Sequence, residues 1–321
     1  MQEKVTNTMK NVTDYHDDIN ADVMSLDGFI YCIRHDVEAI LGKSVEVSLQ
    51  QVTKNNNVRL QANLIKPVGC NVASTIYLNA LYERYCQGMN LEDVVENVIE
   101  TYQRSKVEES LNIDFFMDWE QVKERIIFKL VNYERNTELL NQIPSKSFLD
   151  MAIIFQVMVG DMVDGNATIT IRNEHLTLWE KEVNDLYEMA MLNTPRLLEV
   201  EIQSMVEILM GLSPESIPEC FEMDESAMPM YVISNKVNVN GAGVIIYPGV
   251  LRNFTDRKGF ENMIILPSST HEAILVPVSS KDEMECMSEM VRSVNQTQLT
   301  EEEILSDHSY FYSREDDEIT F

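Results

Sequence analysis

Read for hydrophobic spacing, the chain opens on a polar, aperiodic stretch over residues 1–20, which predicts a loose arm. From 27 to 41 the pattern turns helical: Phe29, Ile30, Ile33, Val37, Ile40 and Leu41 recur three and four residues apart, and Gly42 follows as a stop. Alternation replaces that period at Val45, Val47 and Leu49, and again at Val58, Leu60, Ala62 and Leu64. Asn55-Asn56-Asn57 between the two runs tolerates left-handed backbone angles, so a β-hairpin is predicted, ended by Pro67 and Gly69. Asn90 with Asp93 makes a capping arrangement ahead of a single apolar stripe, Leu91, Val94, Val95, Val98, Ile99 and Tyr102. Asp118 with Gln121 repeats it and predicts a further helix through Val122, Ile126, Ile127, Leu130 and Val131 to about Arg135.

Residues 140–147, which contain Pro144, read as a connector, and a second lobe begins with the apolar run 151–159. An Asp164-Gly165-Asn166 turn leads into alternating Ala167, Ile169 and Ile171, predicting another hairpin. Helical spacing resumes through Leu176, Trp179, Val183, Leu186, Tyr187 and Ala190, and Pro195 is expected to open a second helix to about Met210. Residues 213–229 hold Pro214, Pro218 and Pro229 and predict a loop, followed by strand-like runs at 230–234, 244–247, 263–266 and 273–276. Gly241-Ala242-Gly243 is expected to form a hairpin turn, because the strand-then-helix context of a dinucleotide fingerprint is missing. Ser280 with Glu283 should cap a helix bearing Met284, Met287 and Met290, and Thr300 with Glu303 a last short turn. The expected architecture is α+β in two lobes divided near residue 145: an N-terminal lobe over 21–145 and an acidic C-terminal lobe over 146–321. Each would hold mixed or antiparallel sheets flanked by amphipathic helices.

Composition adds charge to this picture. A hydrophobic content of 45% is enough for a buried core, while 53 acidic residues against 25 basic ones leave a net charge of −28. Such a chain repels phosphate backbones and anionic lipid, so neither direct nucleic-acid binding nor membrane association is expected, and a basic partner is favoured. The imbalance is uneven: residues 161–321 carry 30 acids against 10 bases, and 174–225 hold 13 acids with only Lys181 and Arg196. Glu180, Asp185 and Glu188 in that stretch are the candidate partner-binding residues. The N-terminal residues lack an apolar signal core and no stretch reaches the length of a membrane span. Five well-separated cysteines with no CxxC pair point to a reducing, cytoplasmic setting.

The stretch richest in reactive side chains is Leu266-Pro267-Ser268-Ser269-Thr270-His271-Glu272, between two expected strands. His271 as a general base, with Ser268 or Ser269 as nucleophile and Glu272 orienting the ring, is the candidate catalytic set; a turn satisfying strand-end backbone groups is the competing reading and the favoured one. His16, His35, His175, His271 and His308 lie singly, so no metal site is expected, and no phosphate-binding or dinucleotide motif calls for a cofactor.

Four strings, Lys123-Glu124-Arg125-Ile126-Ile127-Phe128-Lys129-Leu130, Asn193-Thr194-Pro195, residues 266–272, and Glu302-Glu303-Ile304-Leu305-Ser306-Asp307, resemble a family of uncharacterised bacterial proteins. That family is defined only as a domain of unknown function, common in anaerobic gut bacteria, and the likeness spans about residues 28–312. The resemblance implies a bacterial, intracellular protein and brings no activity, cofactor or catalytic residue with it. The expected function is a non-catalytic acidic interaction protein that docks on a positively charged partner, a nucleic-acid-binding protein among the options. The alternative is a hydrolase-like enzyme using residues 268–272.

Overall fold

The computed structural model describes residues 23–70, 72–105, 114–159, 168–211 and 229–321. The expected arm at 1–20, the turn at 164–166 and nearly all of the loop at 213–229 lie outside the described residues. The chain separates into two compact units, residues 1–54 with 59–112, and residues 55–58 with 113–321.

In the first unit, helix α1 (Leu26–Leu41) starts where Ser25 Oγ accepts the Gly28 N–H at 3.3 Å and stops at Gly42, whose φ of 67° suits a residue without a side chain. Strands β1 (Val45–Thr53) and β2 (Arg59–Pro67) pair antiparallel along their whole length, and β3 (Ser74–Tyr77) adds to the far edge of β2. Helices α2 (Asn79–Cys86) and α3 (Leu91–Ser105) complete the unit, with Asn90 Oδ1 accepting the Asp93 N–H at 2.8 Å at the start of α3. Val47, Ile65 and Ile76 of the sheet meet Phe29, Ile33 and Val37 of α1 and Val94, Val98 and Tyr102 of α3 in one core.

The second unit holds two antiparallel sheets. After the one-turn helix α4 (Trp119–Val122), β4 (Ile126–Asn132) pairs β6 (Met151–Met158), whose other edge is shared end to end by β5 (Ser145–Phe148) and β7 (Thr168–Thr170). A short helix, α5 (Thr137–Leu140), lies between β4 and β5, and α6 (Asn173–Trp179) and α7 (Val183–Leu197) follow β7. The second sheet has the order β13-β12-β10-β11-β9-β8, from β8 (Val200–Ser204), β9 (Tyr231–Asn235), β10 (Asn262–Pro267), β11 (Ala273–Val278), β12 (Tyr310–Ser313) and β13 (Glu318–Thr320). Helix α8 (Met205–Gly211) follows β8, α9 (Val250–Lys258) precedes β10, and α10 (Met284–Thr297) follows β11.

Strand alternation sorts the side chains of β10. Met263 and Ile265 enter a core shared with Phe128 and Phe155 of the smaller sheet, while Ile264 and Leu266 pack with Met284, Met287 and Val291 of α10 on the other face. Burial on both faces explains why this strand reads as an unbroken apolar run.

The protein is therefore mixed α+β with antiparallel sheets. Several local expectations change. The helix expected to reach Arg135 ends at Val122, and residues from Ile126 form β4: Ile126, Phe128 and Leu130 face the central core while Ile127 and Val131 face smaller clusters, a two-sided burial that a helical stripe mimics in spacing. The connector expected at 140–147 includes β5, hydrogen-bonded to β6, so the chain does not divide near 145. Pro195 sits in the last turn of α7 rather than opening a helix, because Val200–Ser204 pairs with β9 instead. Residues 244–247 are not a strand, nor is 241–243 a hairpin turn: Asn240, at φ 53°, turns the chain and Gly241–Ile246 coils as a 3-10 segment buried in the core. Ser280 bonds Asp282 rather than Glu283, and α10 begins at Met284.

Candidate functional site

The turn between β10 and β11 is held on three sides. From β9, Ser234 Oγ donates to the His271 carbonyl at 2.8 Å. From the 3-10 segment and the residue before it, the Asn240 N–H donates to His271 Nδ1 at 3.2 Å and the Ala242 N–H to the Thr270 carbonyl at 3.3 Å. From the turn capped by Thr300, the Glu303 carbonyl accepts the Thr270 N–H at 2.9 Å. Gly241 permits this closeness: a Cβ there would stand 2.1 Å from Ser234 Oγ, 2.4 Å from the His271 carbonyl oxygen and 2.8 Å from the Asn235 nitrogen.

Inside the turn the reactive side chains bond one another or the backbone. Ser268 Oγ donates to Glu272 Oε1 at 3.3 Å, and Ser269 Oγ, in a residue only 8% exposed, accepts the His271 N–H at 3.0 Å. A nucleophile activated by His271 needs its hydroxyl within hydrogen-bond reach of the ring. Here Nδ1 accepts a backbone N–H instead, and the two serine hydroxyls are engaged with Glu272 and with the His271 backbone. The Thr300 hydroxyl at 2.6 Å, then its N–H at 3.1 Å, hold the Glu303 carboxyl below the usual carboxylate value, with a smaller contribution from His271. The arrangement does what a strand-end turn needs: it satisfies buried backbone groups.

The acidic candidates behave unequally. Glu180 is exposed at the left-handed residue that ends α6, and Glu188 is exposed on α7. Asp185 is half-buried and accepts the Glu182 N–H at 2.8 Å, so it serves as the capping residue of α7. Lys181, the base in their midst, lies over the Trp119 ring at 5.3 Å.

Two concavities were not foreseen. A polar cleft of about 350 Å³ is lined by Arg135, Arg292, Asn295 and Asp307, with both arginines already paired, Arg135 to Asp307 at 3.3 Å and Arg292 to Glu285 at 3.1 Å. A larger groove of about 620 Å³ runs along α1 and α3. Its signal in the sequence was Glu92, Glu96 and Glu100 at four-residue spacing beside the apolar stripe, which reads first as solvated helix surface. Among the described residues no group of three or more His, Cys, Asp or Glu comes together to hold a metal ion, and no helix is long and apolar enough to cross a membrane.

The four strings quoted from the sequence meet as joints of the second unit. Asn193 Nδ2 donates to the Lys123 and Ile126 carbonyls at 2.7 and 3.1 Å, and Thr194 Oγ1 accepts the Phe128 N–H at 3.1 Å, which clamps α7 to the start of β4. The Thr270 to Glu303 bond joins the other two strings. These features define an α+β protein whose most distinctive polar residues hold its elements together. The chain belongs to DUF5688, a family of unknown function, which it matches over residues 26–314. No curated protein and no solved structure matches it.

Proposed function

We propose that this chain is a cytoplasmic, non-catalytic interaction protein that docks on a positively charged partner through the acidic surface of α6 and α7. The observation that carries the reading is the exposure of Glu180 and Glu188 within a stretch of 13 acids and two bases, residues 174–225. Two further features support it. His271, Ser268 and Ser269 are engaged in the turn's own hydrogen bonds, and among the described residues Cys32, Cys86 and Cys286 are free thiols, as a reducing compartment allows.

The test uses a synthetic peptide of Lys interspersed with Gly and Ser, free of apolar residues. Glu180→Lys with Glu188→Lys should slow its association, and raising salt from about 50 to about 500 mM should weaken wild-type binding by about tenfold or more. Asp185 is left intact because its loss would weaken the α7 cap. Affinity that is flat in salt, or unchanged in the double variant, would leave this surface as solvation alone.

A further inference from the structure

The groove along α1 and α3 combines an apolar floor with an acidic rim. Its floor and walls are apolar: Val95 is buried, Ile99 half-buried and Ile40 62% exposed. Its rim is acidic, with Glu92, Glu96 and Glu100 along α3 and Asp36 on α1, and no Lys or Arg is among the residues lining it. Glu100 is paired with Arg104 at 2.8 Å, whereas among the described residues neither Glu92 nor Glu96 forms an ion pair. Like charges at i and i+4 oppose a helix slightly, whereas Glu92 in the first turn and the Glu100–Arg104 pair favour it.

We propose that this groove binds the apolar face of a basic amphipathic helix on a partner protein. Charge complementarity selects a basic occupant, and a groove that runs along two helices fits the apolar face of a third. Four residues along a helix advance about 6 Å, so the three glutamates of α3 present charge at about 6 Å intervals over about 12 Å. A second helix lying beside α3 with Lys or Arg at i, i+4 and i+8 repeats those intervals, and its apolar positions then turn toward Ile40, Val95 and Ile99. A second copy of this chain brings a further net charge of −28, and an anionic membrane brings phosphate; the acidic rim repels both.

This site is built by the first unit, whereas α6 and α7 belong to the second, and its test separates the two surfaces. The probe is a synthetic helical peptide with Leu on one face and Lys on the other, compared with a scrambled peptide of the same composition, by fluorescence anisotropy on the full chain. Binding at least about tenfold tighter for the ordered peptide is expected, with a further loss of about tenfold on Ile40→Asp. Ile40→Asp adds negative charge, so a purely electrostatic attraction would be strengthened by it rather than lost. Ile40 is largely exposed, which limits the effect on folding; circular dichroism checks this, and Glu92→Gln with Glu96→Gln gives a second route, expected to weaken binding and flatten its salt dependence. Glu180→Lys with Glu188→Lys should leave ordered-peptide binding within about twofold, whatever it does to the Lys-Gly-Ser peptide. Equal affinity for ordered and scrambled peptides, or undiminished binding by Ile40→Asp, would overturn the proposal. So would a concentration-dependent dimer in sedimentation that Ile40→Asp abolishes, since the occupant would then be a second copy.

Discussion

His271 makes three of the hydrogen bonds that hold its turn. Its ring accepts the Asn240 N–H through Nδ1, its carbonyl accepts Ser234 Oγ, and its own N–H is held by Ser269. Removing the ring leaves a partly buried backbone donor without its acceptor, so His271→Ala should lower unfolding free energy by about 1–2 kcal/mol in urea titration. A glutamine can offer an oxygen from nearly the same place, and His271→Gln should recover part of that loss. If both variants unfold with wild type, the ring does not hold this turn. The sequence placed His271 between two strands, and the structure agrees. What it could not convey is Gly241, whose crowding by Ser234 and His271 arises from residues seven and thirty positions away.

At the scale of elements, capping was the most legible signal. Asn90 before α3 and Thr300 before its short turn act as their local spacing requires, because a cap depends on groups three residues apart. The start of α6 adds pH sensitivity. The Arg172 N–H donates to His175 Nδ1 at 3.0 Å, and the ring packs edge-on against Phe116 at 4.8 Å between centroids. Burial holds the imidazole below its usual value of 6.5; Glu174 opposes this and Arg172 adds to it. The unfolded chain therefore takes up a proton first as pH falls through about 6.5, and the stability from neutral His175 is lost between there and the lower folded value. Thermal melts of wild type and His175→Gln from about pH 8 to about pH 5 should show the wild-type advantage shrinking with acid. A constant difference would mean that the ring titrates alike in both states. Elements defined by tertiary pairing were the illegible ones: β4 shares its apolar spacing with a helix until its two-sided burial is known, and β8 is a strand because β9 lies beside it.

Across the whole molecule the net charge of −28 sets the conditions under which the fold persists. With 53 acids against 25 bases, more than half of the acids have no basic residue to offset them, so like charges repel within the compact state more than in the expanded chain. Added salt shortens the screening length from roughly 10 Å at 0.1 M to roughly 3 Å at 1 M, and the melting temperature should rise by a few degrees over that range. Replacing several exposed glutamates by glutamine should reduce that rise. A melting temperature indifferent to salt, or a rise unaffected by those substitutions, would show that self-repulsion is not a significant part of the balance.

The sequence by itself determined the α+β class, the first hairpin with its left-handed Asn56, the stop of α1 at Gly42, the start of α3, and the acidic surplus, because each depends on spacing within about a dozen residues or on composition alone. Tertiary structure decided where the chain divides, which apolar runs are strands, and that residues 268–272 form a clamped turn. Those outcomes depend on partners dozens to hundreds of positions away. An apolar residue's spacing says that it will be buried, but only the neighbour that covers it decides whether a helix or a strand carries it there.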